Sequence, residues 1–410
     1  MPSMTPEDTA VDPMRLVEEA RRIDAAGDYP RAERAFRHVL EVSADATADH
    51  LPARARALSG LAALCRYDGR LDEAGEHSAS ALDAATRADD LAVQIEAAAE
   101  AALVRLEAGD LDTATRHATG AVTAAVTIPE GRTRDAMLAL SLQTRAAIHR
   151  QTGDFRNAEG DLRQAQQYAK SAHGPESLEL AGILSDLGVL YKFSGAFHKS
   201  GIAHRRALGI VERVGGPHHP DVATIEHNLG GMEFARGQLA AAATHTRRAV
   251  AAHAAALGAD HVATALDRVA LAAILDRSEQ RAEAKTLLLD ALATLEARLG
   301  PEHREVAVAL NNLAAIAHRD GDVDAAERWY QRSLEIKERA VGMDSPTIAN
   351  TLINLAGVRW RQGRPADAAT LLRRAVVILD RSVEPTHPNL QVARRQLARV
   401  EAEIAERGAG

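Results

Sequence analysis

The sequence contains a single cysteine, Cys65, among 410 residues. One cysteine cannot form a disulfide framework or a zinc ribbon within the chain, so neither can hold the fold together. Aromatic residues make up only 3% of the sequence, although 46% of it is hydrophobic. We therefore expect a core built mainly from alanine and other small or aliphatic side chains.

An excess of positive charge and long apolar runs are also missing. The 49 Lys and Arg against 57 Asp and Glu give a net charge of -8, which disfavours nucleic acid or acidic lipid as a direct partner. Charges recur too often for a membrane span, and the N-terminal MPSMTPEDTAVDP lacks the apolar segment of a signal peptide. We therefore expect a soluble, cytoplasmic protein with a disordered leader over residues 1–13.

One signature recurs along the chain: a turn residue, an alanine five residues later, and a small residue followed by an aliphatic one at twelve and thirteen. In one example, Gly321 is followed by Ala326, Ser333 and Leu334. The spacing between successive turn residues is 42, 40 and 44, and then 42 five times. This series predicts about nine helix-turn-helix units, whose turn residues are Gly27, Gly69, Gly109, Gly153, Gly195, Gly237, Glu279, Gly321 and Gly363.

The first helix of each regular unit carries an apolar stripe at helical spacing. Eight residues before the turn residue stand Leu187, Leu229, Leu271, Leu313 and Leu355, and five before it stand Leu190, Met232, Ile274, Ile316 and Val358. The small residues between these two positions let a neighbouring helix approach closely; they are Gly188, Gly230, Ala272, Ala314 and Ala356. A single pair cannot bury such a stripe alone, so stacking of neighbouring pairs must supply the core.

The helix ends agree with this frame. In RAVGMDSPTIAN, Gly342 suits a left-handed helix end, Ser345 suits a cap and Pro346 suits the first position of the next helix. The segment from His387 to about Arg407 follows the last unit and is expected to cap it.

The motifs HPDVATIEHNLG and VALNNLAAIAHRDGDVDAAERWYQRSLEIKE resemble tetratricopeptide repeats of the 42-residue kinesin light chain type, most closely from about residue 174 to 390. The resemblance implies an all-α, right-handed superhelical solenoid of about nine repeats plus a C-terminal capping helix. It also implies that the first helices line a concave groove that binds extended peptides. We accordingly expect irregular repeats over residues 14–173, regular repeats over 174–386, and a capping helix with a tail over 387–410.

A second stripe follows each first helix beside the apolar one, and the resemblance places it in the groove. On one helix it consists of Asn312, Ala315 and Arg319, while Asn311 lies on an adjacent flank. An asparagine amide can donate to and accept from a peptide backbone, as reading extended chains of varied sequence requires. The alternative role is a hydrogen bond to the adjacent repeat. The equivalent sets are Asn228, Gly231 and Ala235; Ala270, Ala273 and Arg277; and Asn354, Gly357 and Arg361.

Arg277, Arg319 and Arg361 occupy one position in three consecutive units, two residues before the turn residue. As a ladder they would attract an acidic segment, because arginine offers a planar fork for carboxylates. The alternative is that they complement the C-terminal helix dipole by roughly 0.3–1 kcal/mol each.

Histidines recur at the start of successive first helices and raise the question of a metal site. They lie on different repeats, and helices packed roughly 8–10 Å apart hold them too far apart for zinc ligands at about 2 Å. We therefore predict hydrogen bonds at the junctions, and no metal or cofactor, for His219, His261, His303 and His387.

No P-loop, HExxH, GxSxG or cysteine-pair motif is present in the sequence, so we predict no catalytic residues. The expected function is that of an adaptor that binds a protein or peptide partner, with an acidic segment as the favoured ligand. The alternative is a regulatory sensor whose curvature changes when a ligand binds. An enzyme with an unrecognised site is the third hypothesis. Ala- and Arg-rich usage suggests a bacterial source, and the oligomeric state is left open.

Overall fold

In the computed structural model, the residues described are 12–45, 47–382 and 387–408, so the first eleven residues of the expected leader lie outside them. These ranges contain helices and turns but no strand. The α-helices are α1 (Pro13–Ala25), α2 (Tyr29–Val42), α3 (Leu51–Tyr67), α4 (Leu71–Arg87), α5 (Leu91–Glu107), α6 (Leu111–Thr127), α7 (Arg132–Gln151), α8 (Phe155–His173), α9 (Leu178–Phe193), α10 (Phe197–Val214), α11 (Pro220–Ala235), α12 (Leu239–Leu257), α13 (Val262–Arg277), α14 (Arg281–Leu299), α15 (Arg304–Asp320), α16 (Val323–Val341), α17 (Ala349–Arg361), α18 (Pro365–Ser382) and α19 (Pro388–Gly408).

Each odd-numbered helix from α1 to α17 packs on the helix that follows it, and α19 packs on α18. The prediction of an all-α array of helix pairs with a C-terminal capping helix is therefore confirmed. The array forms two compact units, of which the first ends at Gly258 and the second begins at Ala259. The predicted change to regular repeats at residue 174 falls within the first unit. Helix α1 begins at Pro13, the residue predicted to end the leader.

The nine predicted turn residues share one backbone conformation. Their φ angles lie between 63° and 87°, in the left-handed region that glycine enters without a steric penalty. Glu279 is the one turn residue of the nine that is not glycine, yet it adopts the same conformation, with a φ of 63°. The turn geometry is thus retained where the side chain disfavours it.

The small residues of the first helices let the second helices approach. A Cβ placed on Gly188 would lie 2.5 Å from the His204 ring, and one placed on Gly230 would lie 2.2 Å from Thr246 Oγ1. His204 stands nine residues after the turn residue Gly195 and is fully buried. The equivalent residue of the repeat with turn residue Gly321 is Tyr330, which is also buried. Burial lowers the pKa of His204 to about 4, so the neutral ring acts as a core side chain.

The predicted junction near residue 345 is confirmed in its capping. Gly342 has a φ of 84°, and the Ser345 hydroxyl accepts a hydrogen bond from the backbone N–H of Thr347. Pro346 begins a 3₁₀ turn, Pro346–Ile348, before α17 starts. None of the helices in the described ranges is long and apolar enough to span a bilayer.

The first unit contains contacts between its first and sixth helix pairs. The His219 Nε2 atom lies 2.9 Å from the carbonyl oxygen of Ala25, and a Cβ on Gly27 would lie 2.2 Å from Pro220 Cδ. Nearby, the Tyr67 hydroxyl lies 3.3 Å from His253 Nε2. These contacts join residues almost two hundred positions apart, so they depend on the curvature of the whole unit.

Candidate functional site

The predicted groove residues form what we call the Asn–Arg stripe: the residues nine, six and two positions before each turn residue. In the second unit, Asn312 and Asn354 are half-buried, while Leu313 and Leu355 beside them are buried. The stripe therefore lies at the border of the core on α15 and α17. A small residue, Ala315 or Gly357, follows each asparagine by three positions.

The asparagines of the stripe differ in their contacts. Asn228, on α11 of the first unit, donates from Nδ2 to Ser185 Oγ on α9 at 3.4 Å. Asn312 and Asn354 make no hydrogen bond to any residue that the structure describes. One amide is thus engaged by the adjacent repeat, whereas the other two retain their donors and acceptors.

The neighbouring Asn311 has a different environment. Its Oδ1 accepts a hydrogen bond from the Thr351 hydroxyl at 3.3 Å, and that hydroxyl accepts one from Lys337 Nζ at 2.9 Å. Thr351 is fully buried, and burial lowers the pKa of Lys337. Asn311 therefore satisfies a polar group between two repeats, which accounts for the first of the two adjacent asparagines.

The arginines at the end of the stripe contact the preceding first helix. Arg319 forms an ion pair with Asp276 on α13. Arg361 Nη1 donates to the carbonyl oxygen of His318 on α15 at 2.7 Å. Both cations thus link successive first helices, a contact that neither the acidic-ligand hypothesis nor the helix-dipole alternative predicted, and both remain exposed. Arg277 is exposed at the equivalent end of α13.

The charge of these arginines is balanced unequally. Arg319 faces a carboxylate, so an acidic ligand would have to share the guanidinium with Asp276. Arg361 faces a neutral carbonyl, which leaves its positive charge uncompensated by that contact. The Asp276 Oδ1 atom is buried without a hydrogen-bond partner. An acidic group approaching the stripe therefore meets its more favourable electrostatic partner at Arg361.

The histidines at the starts of the first helices form the predicted junction bonds. In each, Nδ1 accepts the backbone N–H two residues later at 3.1–3.3 Å. For one of them, His303, burial lowers the pKa and favours the neutral acceptor. The prediction of junction hydrogen bonds is confirmed for His219, His261, His303 and His387.

One group of side chains in the described ranges has the residue types of a metal site. Cys65 Sγ, a Glu73 carboxylate oxygen and a His77 ring nitrogen lie within 4.8 Å of one another. Glu73 Oε2 accepts a hydrogen bond from Arg70 at 3.0 Å, and burial raises the pKa of Cys65 to about 11. A protonated thiol beside an arginine is a poor metal ligand, so packing is the better account of this group.

Sequence reasoning missed the polar contacts between first helices of the first unit. Arg66 donates to Glu100 at 2.8 Å and to Glu107 at 2.9 Å, and Gln143 donates to Asp186 at 2.7 Å. Burial raises the pKa values of Glu100 and Asp186. The residues stand 34 to 43 positions apart. Polar residues about one repeat length apart on successive first helices are the sequence pattern that could have predicted these contacts.

Comparisons with known proteins agree with this architecture. The family model described as tetratricopeptide repeat matches residues 221–297 and 269–339, and a second model of the same description matches 348–389. No curated protein matches the sequence significantly.

Among solved structures, a Rap protein complexed with competence and sporulation factor is 13% identical, with a TM-score of 0.56, over 87% of this chain and 99% of that one. BtubC (BKLC) from P. vanneervenii is 24% identical with a TM-score of 0.35, over 68% of this chain and 94% of that one. Nearly identical TPR-like repeats assigned to a kinesin light chain of Podosopora anserina are 21% identical with a TM-score of 0.42, over 48% and 94%.

The Rap structure shares the fold across most of the chain. The family matches cover the last four repeats, and the preceding helix pairs have the same left-handed turn. Residues 221–339 and 348–389 are therefore tetratricopeptide repeats, the helix pairs before them share this architecture, and repeats of this kind support a role as a protein–protein interaction scaffold.

Proposed function

We propose that the second unit binds an extended segment of a partner protein along its Asn–Arg stripe. Asn312 and Asn354 are the observation that carries this proposal. They stand 42 residues apart at one repeat position, and their amides have no partner among the described residues. Each amide can hydrogen-bond the backbone of an extended chain whatever its side chains are. The proposal includes no catalytic step.

The arginines of the stripe favour an acidic segment as the ligand. Arg361 supplies a positive charge that its carbonyl partner does not neutralise. Arg319 is already paired with Asp276, so a ligand carboxylate would share its guanidinium with that residue. Arg277 extends the same row. In the first unit, Asn228 holds the equivalent position and uses only its amide nitrogen on Ser185. Its amide oxygen makes no hydrogen bond to the described residues, so it can serve a ligand in the same way.

Two variants of the whole chain test the proposal against a partner captured from native lysate. Asn312→Ala with Asn354→Ala removes backbone bonds of about 0.5–1.5 kcal/mol each and should weaken all bound segments alike. Arg361→Glu should weaken acidic segments most and flatten the dependence of affinity on salt. Arg381→Glu is the matched control, because Arg381 is an exposed arginine at the end of α18 outside the stripe.

Binding constants and melting temperatures should be measured together. If both variants bind the partner as wild type does while their melting temperatures are unchanged, the stripe is not the working surface. If Arg381→Glu weakens binding as much as Arg361→Glu, only net charge matters and the acidic-segment proposal is wrong.

A second candidate function, that of a sensor, is favoured by the contact between the first and sixth helix pairs of the first unit. The contact at Ala25 and His219 is small, so a ligand that prefers either the closed or the open arrangement would shift the curvature of this unit. Small-angle scattering with and without the captured partner tests this. An unchanged scattering profile would argue against the sensor and leave the adaptor.

A further inference from the structure

A cleft in the first unit carries a cluster of cations. It lies between the end of α9, the start of α10 and the end of α11, and its volume is about 530 Å³. The cations that line it are Lys199, Arg205 and Arg236, with the His198 ring beside them, over an apolar floor that includes Met232. No carboxylate lines this cleft. The concentration of positive charge contrasts with the net charge of -8 for the chain.

Most of these cations are uncompensated. His198 and Arg205 are exposed and make no ion pair or hydrogen bond with any residue in the described ranges. Lys199 Nζ lies 5.4 Å from the centre of the Tyr191 ring, a contact that leaves its charge in place. Only Arg236 has a carboxylate partner, Glu233 at 3.1 Å. The cleft therefore presents two positive side chains, Lys199 and Arg205, without an anion.

Three of the other eight repeats fill the corresponding place with a carboxylate of their own. Three repeats have a glutamate six residues after the turn residue: Glu33, Glu159 and Glu327. Each glutamate accepts a hydrogen bond from a side chain near the turn of the next helix pair. The donors are Arg70 to Glu33 at 3.1 Å, Tyr191 to Glu159 at 3.0 Å and Gln362 to Glu327 at 2.6 Å. The carboxylate thus neutralises an arginine or accepts a hydrogen bond from a neutral donor at the junction between two repeats.

The fifth repeat lacks this carboxylate. Gly201 stands six residues after Gly195, and an added Cβ there would meet only the flexible Arg205 guanidinium, at 3.1 Å. The three repeats with the glutamate also carry an aspartate directly after the turn, whereas this repeat has Ala196. Two negative charges are missing at the place where the cations gather, and the missing side chain leaves the cleft open.

We propose that this cleft binds an oxyanion, the phosphate or carboxylate group of a small organic ligand, in the place that Glu33, Glu159 and Glu327 take in their repeats. Arg205 and Lys199 bind the oxyanion, since a guanidinium forks onto two oxygens and an ammonium adds a point charge. The cleft is larger than a single phosphate, so the ligand extends over the apolar floor at Met232. This site is separate from the Asn–Arg stripe of the second unit.

Calorimetric titration of the full chain with phenyl phosphate, phenylacetate and inorganic phosphate, at constant ionic strength, tests the site. We expect wild type to bind at least one of the two aromatic anions, and more tightly than inorganic phosphate. Whichever aromatic probe binds more tightly identifies the ligand as a phosphate ester or a carboxylate. Lys199→Gln with Arg205→Gln should weaken binding by at least about tenfold, because charge-assisted bonds are lost.

Gly201→Glu is the decisive variant. It restores the carboxylate found at Glu159 and Glu327, so it should fold and should exclude the probe, weakening binding by at least about tenfold. Arg206→Gln is the matched control, because Arg206 is an exposed arginine on α10 that does not line the cleft. Circular dichroism checks that every variant is folded.

Three results would overturn the proposal. Wild type could bind none of the three probes at millimolar concentration, Gly201→Glu could bind as tightly as wild type, or Arg206→Gln could lose as much affinity as the double variant. The first would show that the cleft is not an anion site. The second would show that the anion binds elsewhere, and the third that only general charge attracts it. If the double variant does not fold, the comparison of Gly201→Glu with wild type and with Arg206→Gln still tests the site.

Discussion

The two units use the same helix position for different purposes. In the first unit, polar side chains of neighbouring first helices bind one another, as Arg66 does with Glu100 and Gln143 with Asp186. In the second unit, Asn312 and Asn354 make no such bond to the residues described. A polar residue at the border of the core can therefore either hold adjacent repeats together or remain available to a ligand, and the repeat pattern alone does not distinguish these uses.

Arg66→Gln should give the largest loss of stability. It leaves Glu100, whose side chain is 13% exposed, without its charge partner, and an unpaired carboxylate in such a place should cost about 3 kcal/mol. Glu107→Gln, which removes the more exposed carboxylate on the same arginine, should cost less than about 1 kcal/mol. Urea unfolding at pH 7 measures both. Equal effects of the two variants would mean that the first unit does not depend on its buried pair.

Asp24→Asn should stabilise the fold at neutral pH and have little effect at acid pH. Burial, with Asp221 nearby, raises the pKa of Asp24 from 3.8 to about 6. A raised carboxyl pKa means that the folded state favours the protonated form, so stability falls as pH rises from about 4 to about 6. The variant should exceed wild type by about 2 kcal/mol at pH 7, after discounting for partial exposure, and by little at pH 4. Melting curves at the two pH values test this, and an equal difference at both would contradict it.

Glu279→Gly should stabilise the start of the second unit by about 1 kcal/mol, because a non-glycine residue is disfavoured at a φ of 63°. Gly237→Ala, which places a side chain at a φ of 78° at the equivalent turn of the first unit, should destabilise by a similar amount. Thermal unfolding monitored by circular dichroism provides the measurement. A destabilised Glu279→Gly variant would show that the glutamate side chain has a structural contact of greater value.

The smallest effect is expected for Asn312→Ala with Asn354→Ala, which should change the unfolding free energy by less than about 0.5 kcal/mol, since surface substitutions without partners rarely do more. Asn311→Ala is the contrasting variant, because it removes the acceptor of the Thr351 hydroxyl and should cost about 1 kcal/mol. If the double variant is the more destabilised of the two, these asparagines serve the stacking of repeats rather than a ligand.

Much of the site could be predicted from the sequence because repeat positions recur. The buried Leu313 and the half-buried Asn312 follow from helical periodicity, and the junction bond of His303 follows from its place before a helix. The partner of Arg319 was not predicted. Asp276 lies 43 residues earlier, and which carboxylate an arginine reaches depends on the distance and rotation between successive helices.

The sequence by itself determined the helix pairs, their turns and the small residues at which helices touch, since these depend on local conformation and on side-chain size. The turn at Glu279 shows the strength of that pattern, because eight glycines identify the geometry that the glutamate also adopts. Tertiary structure alone decided which polar groups are used within the fold and which are not. Ala25 meets His219 only because the curvature of stacked helices brings residues of distant repeats together, and Lys199, Arg205 and Met232 line one cleft only because adjacent repeats stack.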